Sequence, residues 1–131
     1  MIGIDTNVLV RYLAQDDPAQ TARAVDIIER RLTREEPGFV SSVAIAELVW
    51  VLARIYRWSK PRISVVLENL LKAEQLVLEH AGLVANAMIA VRDENADFAD
   101  AFISGIGLSV GCSHTVTFDR RAARLPGFEV V

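Results

Sequence analysis

Cysteine, histidine and surplus positive charge are all scarce in this 131-residue chain. Cys112 has no second cysteine to pair with, so no internal disulfide forms. No apolar run reaches the ~18 residues that cross a bilayer. The first residues lack the basic and apolar regions of a secretory signal. We therefore expect a cytoplasmic protein.

Several catalytic patterns are missing as well. His80 and His114 lack the spacing of metal ligands, and no Ser-His-Asp set is evident. The glycines of "GIGLSVG" have the wrong spacing for a nucleotide-binding loop, and helix packing with a C-cap explains them better. Cys112 has no neighbouring base and is expected to be a packed residue. The carboxylates are the remaining candidates for chemistry.

The composition limits the class of protein without naming it. The length fits one domain, residues 1–131. The net charge of −3 and pI of about 5.4 do not by themselves suggest a nucleic-acid binder. The hydrophobic fraction of 52% and mean hydropathy of +0.29 are high for so small a chain. This excess predicts apolar surface that another chain covers.

Apolar periodicity and turn residues predict strands that alternate with helices. The predicted strands are Ile2–Asp5, Phe39–Ser41, Gln75–Glu79, His114–Phe118 and Phe128–Val131. The predicted helices are Thr6–Leu13, Pro18–Leu32, Val43–Tyr56 with Ser42 as its cap, one starting at Lys60, Leu83–Val91 and Asp97–Val110. This alternation predicts an α/β fold with a mostly parallel sheet of four to five strands, flanked by helices.

Acidic residues follow the predicted strands at the edge where parallel sheets form sites. Asp5 ends the first strand, and Asp119 ends the strand in "HTVTFD". Asp97 and Asp100 open the helix before that strand. Each has a structural interpretation as a helix cap, which is favoured for Asp97 and is weaker for Asp100.

Glu47 is the only charged residue in "VAIAELVWVLA", a segment predicted to be a buried helix. A buried carboxylate needs a partner. Two interpretations stay open from the residues: a salt bridge to Arg54 or another arginine, and a metal ligand. If Asp5, Glu47, Asp100 and Asp119 converge, they repel one another unless a cation holds them. Oxygen-only sets of this kind suit Mg²⁺.

Four segments carry a resemblance to a known family. They are "IDTNVLVRYL", "SSVAIAELVWVL", "ADFADAFISGIGLSVGC" and "TVTFDRRAARLPG". In this order and spacing the chain resembles a PIN domain, and specifically the VapC-type ribonuclease toxins of toxin–antitoxin modules. The resemblance covers almost the whole chain. It implies a three-layer PIN-like domain.

The resemblance also implies a site and partners. It implies that Asp5, Glu47, Asp100 and Asp119 bind Mg²⁺ or Mn²⁺ and activate water for RNA hydrolysis. Polar groups at Asn7 and Thr117 would support the site, with Asp97 beside it. The implied partners are an RNA substrate, a cognate antitoxin protein that inserts a helix or an arginine near the acids, and a second copy of the chain in a homodimer.

Alternatives from other classes fit less well. A haloacid dehalogenase-type hydrolase needs a second Asp two residues after Asp5, where Asn7 stands. A receiver-like phospho-switch needs an acidic pair after the first strand and a lysine after the last, and the chain has neither. A PIN-like scaffold that only binds a partner remains open, and a metal-dependent cleavage assay separates it from the enzyme.

Basic and aromatic residues suggest where RNA or a partner binds. Arginines and lysines occur in three clusters, whose simplest interpretation is solvated helix faces, and Arg120 and Arg121 are candidates for phosphate contact. Trp50 is expected in the core, whereas Tyr56 and Trp58 are expected in an interface. The three clusters are Arg30, Arg31, Arg34; Arg54, Arg57, Lys60, Arg62; and Arg120, Arg121, Arg124.

Overall fold

A computed structural model describes residues 1–131 as two compact units, Met1–Glu79 and His80–Val131. The predicted α/β class is confirmed. The strands are β1 Ile2–Gly3, β2 Gly38–Val40, β3 Leu76–Leu78, β4 Thr115–Thr117 and β5 Phe128–Val130. The helices are α1 Thr6–Ala14, α2 Pro18–Asp26, α3 Ser42–Arg54, α4 Lys60–Lys72, α5 Ala81–Glu94 and α6 Phe98–Ser109. None of the helices is long and apolar enough to cross a membrane.

Every strand pair is parallel, as the alternation with helices predicts, because a parallel pair needs a crossover connection. In the first unit they form a sheet in the order β1-β2-β3, with Ile2 opposite Gly38 and Phe39 opposite Val77. In the second unit β4 pairs with β5 over three residues. The strands predicted as one sheet therefore form two hydrogen-bonded sheets, one in each unit.

Helix ends follow their capping residues closely. The Ser41 hydroxyl accepts a hydrogen bond from the Ala44 N–H, so Ser41 caps α3 in place of the predicted Ser42, and the helix starts at Ser42, one residue earlier than the predicted Val43. Asp17 caps α2 in the same way, directly before Pro18. The predicted helix to Leu32 continues beyond α2 as a π-helical segment, Ile27–Arg31.

Gly38 marks a close approach in the first unit. A Cβ atom at this position would lie 2.7 Å from the Leu32 Cδ1 atom and 2.8 Å from the Ile4 Cγ1 atom. Ile4 is itself buried and immediately precedes Asp5. Glycine is therefore the residue that lets β2 pack closely against Ile4 and Leu32.

Helix α3 buries one side only, which corrects the expectation of burial all round. Its fully buried residues are Ile45, Leu48 and Leu52, at i, i+3 and i+7 spacing. Trp50, expected in the core, has 56% of its surface exposed. The sequence does not show which face of α3 is buried, because a helix that is apolar on both faces lacks the periodic contrast between apolar and polar residues.

Tyr56 and Trp58, expected in an interface, are half-buried and engaged within the chain. The Tyr56 hydroxyl donates to the Asp16 Oδ2 atom at 2.7 Å. The Trp58 ring lies under the Arg62 guanidinium group, 3.6 Å from the ring centroid. The expectation for Cys112 was also wrong, because this residue is exposed beyond the end of α6.

Candidate active site

Asp5 stands between β1 and α1, as the sequence predicts. It is the N-cap of α1, and its Oδ1 atom accepts a hydrogen bond from the Thr6 N–H at 2.8 Å. Thr6 is buried, whereas Asp5 and Asn7 are exposed. The buried Thr6 fixes the start of the helix, and the carboxylate and amide on either side of it face solvent.

Glu47 lies in the second turn of α3 and is exposed, not buried as expected. It makes no hydrogen bond or ion pair, so the salt bridge to Arg54 that the sequence left open does not form. The carboxylate has no protein partner that accounts for it. Its exposure on the outer face of α3 lets water solvate the carboxylate, so no partner within the chain is required and the group is free to bind a ligand.

The start of α6 brings two carboxylates together in the second unit. Asp97 is the N-cap, and its Oδ1 atom accepts a hydrogen bond from the Asp100 N–H at 3.1 Å. This confirms the predicted capping role of Asp97. Asp100 lies at the third helical position, half-buried, and its carboxylate caps nothing. The cap and the carboxylate one turn later share one end of the helix.

Asp119 follows β4 in the same unit. Its Oδ1 atom accepts a hydrogen bond from the Arg121 N–H at 2.8 Å, and its own N–H donates to the Thr117 Oγ1 atom at 3.0 Å. These bonds close a turn that leads into the 3₁₀ helix Ala122–Arg124. Thr117 therefore supports the backbone of Asp119, and its support of a metal site stays a prediction.

The electrostatics of the second unit single out Asp100. Partial burial raises the pKa of the Asp100 carboxyl above its ordinary value, and the negative charges of Asp97 and Asp119 raise it further. No arginine or lysine offsets this effect at Asp100. Three carboxylates thus lie close enough to act on one another without a neutralising cation from the protein.

The structure brings Asp97, Asp100 and Asp119 together in the second unit, whereas Asp5 and Glu47 lie on different helices of the first. Within neither unit are three or more His, Cys, Asp or Glu side chains arranged to hold a metal ion. The donor chemistry nevertheless fits a hard divalent cation. Every candidate is a carboxylate, and Asp100 has a raised pKa that a nearby cation would lower.

Two residues near these acids were not singled out from the sequence. Phe118 precedes Asp119 and has 88% of its surface exposed. From the sequence it is predicted to be an ordinary strand residue. Its position beside an acid at the end of a strand was the one feature that could have indicated a functional role. Glu79 follows β3, and its Oε1 atom accepts a hydrogen bond from the Ser42 N–H at 2.8 Å, so it satisfies the start of α3.

Comparison with known proteins identifies the family of the chain. The family model for the PIN domain matches residues 2–127. A VapC ribonuclease of Aquifex aeolicus (strain VF5) is 28% identical over 129 residues, which cover 98% of this chain and 93% of that protein. The resemblance predicted from the sequence is confirmed. Because the family match spans nearly the whole chain, the protein belongs to the PIN domain family.

Proposed function

We propose that the protein is the toxin of a type II toxin–antitoxin module and acts as an Mg²⁺- or Mn²⁺-dependent endoribonuclease. Asp5, Glu47, Asp100 and Asp119 form its acidic site. The similarity to a protein named VapC ribonuclease supports the activity. The observation that carries the site is the group of carboxylates around Asp100, whose mutual repulsion no cation of the protein relieves.

Each residue has a distinct task in this proposal. The four carboxylates hold the cation, and Asp5 and Asp100 are indispensable. Asn7 and Thr117 keep the neighbouring backbone and side chains in place, and Asp97 fixes the first turn of α6 so that Asp100 is correctly presented. When bound, the divalent cation supplies the charge that activates water and stabilises the phosphate during in-line displacement.

Residues beside Asp119 fit the substrate. Arg120 and Arg121 are exposed and form no ion pair, so they are available to a phosphate group. Phe118 offers an exposed aromatic ring on which a nucleobase can stack. An acidic site flanked by free cations and an aromatic ring is suited to RNA, whose backbone is anionic and whose bases unstack readily.

The proposal extends to partners. The toxin works in the cytoplasm, forms a homodimer and is inhibited by an antitoxin that inserts a helix or an arginine near the acids. Exposed apolar side chains support a covering chain, among them Val110 and Ile103 in the second unit. Size-exclusion chromatography with light scattering should show a dimer at micromolar concentration. A monomer that is harmless when produced alone would contradict this part.

The test compares wild-type protein with Asp5→Asn and Asp100→Asn on a labelled RNA, with Mg²⁺ and with EDTA. We expect cleavage only by wild type and only with the metal. Millimolar Mg²⁺ or Mn²⁺ should also raise the thermal midpoint of wild type by mass action, and this rise should be lost in both variants.

Three results would contradict the proposal. Cleavage that survives both EDTA and Asp5→Asn would point to a contaminating nuclease. An Asp5→Asn protein that keeps the full metal-induced rise would mean that Asp5 only caps α1. Wild type that binds a partner yet cleaves no RNA under any metal would favour the PIN-like scaffold without activity.

A further inference from the structure

The connection between α3 and α4 is positively charged, although the protein as a whole is acidic. The chain has 17 acidic residues and a net charge of −3, yet residues 48–67 contain four cations and no acid. These cations lie at the end of α3, in the connection and in the first turn of α4. They are Arg54, Arg57, Lys60 and Arg62. We use the name basic turn for Arg54, Arg57 and Arg62.

No acid within the chain neutralises the basic turn. Arg54, Arg57 and Arg62 are all exposed, and none of them forms an ion pair. The one recorded contact of an arginine side chain here is the stacking of Arg62 on Trp58. Three guanidinium charges are therefore presented together to solvent, although the protein as a whole is acidic.

Contacts within the chain hold the residues beside the basic turn in place. The Tyr56 hydroxyl donates to Asp16, which ties the turn to the α1–α2 connection. The Tyr56 and Trp58 rings meet edge to face, with centroids 6.3 Å apart. The Trp58 ring in turn supports the Arg62 guanidinium group. A ligand that binds here meets aromatic rings and an Arg62 side chain that are already held in place, which favours binding.

Arg57 occupies a backbone conformation that favours glycine. Its φ angle is +59°, in the left-handed region that L-residues adopt at a cost. Its exposed side chain forms no hydrogen bond that would offset this cost. Stability therefore does not explain an arginine at this position, whereas a ligand that binds the guanidinium group does.

The outer face of α3 connects the basic turn with the acidic site. Glu47, Trp50 and Arg54 stand at i, i+3 and i+7 spacing, so they share one face of the helix, and all three are exposed. Seven residues of helix place Glu47 about 10 Å from Arg54 along the axis. The exposed Trp50 ring lies between the proposed metal ligand and the basic turn.

We propose that the basic turn and Trp50 bind single-stranded RNA, with the arginines on phosphate groups and the indole ring stacked on a base. This inference rests on the proposed function and deepens it, because it identifies where the substrate is held outside the acidic site. Cationic surfaces with interspersed aromatic rings are typical of single-strand binding. A second copy of the chain fits less well, because its matching face carries the same three arginines and only one acid, Glu47.

The test measures binding of a fluorescein-labelled oligouridylate of about a dozen nucleotides, in EDTA, over a range of salt concentrations. The variant is the triple substitution Arg54→Gln, Arg57→Gly and Arg62→Gln. Each lost phosphate contact lowers the salt slope, which is the slope of the logarithm of the binding constant against the logarithm of salt concentration, by about 0.7. The loss of three contacts therefore lowers the slope by about 2. The loss of affinity relative to wild type should be about a hundredfold greater at 0.1 M salt than at 1 M salt. The matched control removes the same charge elsewhere on the first unit, by Arg30→Gln, Arg31→Gln and Arg34→Gln.

Arg57→Gly alone separates binding from folding. Glycine adopts the left-handed conformation freely, so the thermal midpoint should equal or exceed that of wild type while the salt slope falls by about 0.7. Trp50→Ala should weaken binding about five- to 150-fold without changing the salt slope, and Trp50→Phe should restore most of the affinity.

The outcomes separate this inference from the proposed function. Equal loss in both triple variants, or unchanged binding in the variant of the basic turn, overturns the inference while metal-dependent cleavage can still stand. Loss confined to the basic turn supports it, even if wild type cleaves nothing. A Trp50→Ala protein that changes from dimer to monomer with unchanged RNA binding would assign this face to a second copy and overturn the inference.

Discussion

The starts of α1 and α6 are built alike but differ in charge. Each follows an aspartate that caps the helix: Asp5 accepts from Thr6, and Asp97 accepts from Asp100. Helix α1 has no acid in its first turn, whereas α6 carries Asp100 there, close to Asp119. Both caps therefore have a structural explanation, and Asp100 has none.

This difference shows how to recognise a functional acid. A single carboxylate at a helix N-terminus stabilises the fold by satisfying an orphan N–H group. A second one in the same turn adds dipole attraction but also repulsion from its neighbours. At Asp100 burial and repulsion prevail, because the pKa of this carboxyl lies above its ordinary value.

The largest expected effect separates Asp100 from Asp97. Asp100→Asn should reduce RNA cleavage by at least about a hundredfold, because even residues that only support metal ligands cost 10- to 100-fold when changed. Asp97→Asn keeps the cap and should reduce cleavage by less than about tenfold. The measurement is the initial rate with saturating Mg²⁺. Equal losses in the two variants would place Asp97 among the ligands.

An effect of intermediate size tests the caps. Asp5→Ala and Asp97→Ala should each lower the free energy of unfolding by about 1 kcal/mol, whereas Asp5→Asn and Asp97→Asn should change it by a few tenths at most, since asparagine caps about as well. Urea unfolding of the metal-free proteins measures this. If Asp5→Asn destabilises as much as Asp5→Ala, the Asp5 charge, rather than its hydrogen bond, stabilises α1.

The smallest expected effect concerns pH. The folded protein binds a proton at Asp100 more tightly than the unfolded chain does, so this residue favours folding when protonated and loses that contribution as the pH rises through its raised pKa. Metal-free Asp100→Asn should therefore be slightly more stable than wild type at pH 7. The difference should shrink as the pH falls towards the ordinary value of 3.8.

Asp93, in the same unit, provides a control whose pKa is shifted in the opposite direction. A hydrogen bond from the Arg92 side chain lowers the pKa of the Asp93 carboxyl. Asp93→Asn should therefore be slightly less stable than wild type at pH 7, and this deficit should also shrink in acid. Thermal midpoints from pH 3 to pH 7 give both curves. Parallel curves for the two variants would contradict the assigned charge environment of Asp100.

The sequence allowed the order of elements to be predicted almost completely. Caps and breakers such as Ser41, Asp97 and Pro18 have local signals, and the helix ends lie within a few residues of the predicted ones. The strand-end positions of Asp5 and Asp119 follow from the same local signals. Metal binding by the four acids stays a prediction.

Burial within apolar segments could not be predicted. Nothing in "VAIAELVWVLA" distinguishes the side of α3 that faces the core from the side with Glu47 and Trp50, because both sides carry apolar residues. The left-handed backbone conformation of Arg57 could not be predicted either, since an arginine in a sequence does not indicate a positive φ angle. These features depend on tertiary packing, which periodicity alone does not encode.

The contact at Gly38 has a consequence for mutational scanning. Alanine there would press against Ile4 and Leu32, and crowding of this kind typically costs 1–3 kcal/mol. Ile4 would shift together with its neighbour Asp5. Under the proposed toxin function, substitutions of Gly38 should therefore be recovered alongside those of the acids in a library selected for survival of expression. A glycine that binds nothing would then be mistaken for part of the active site, unless protein abundance is measured in the same cells.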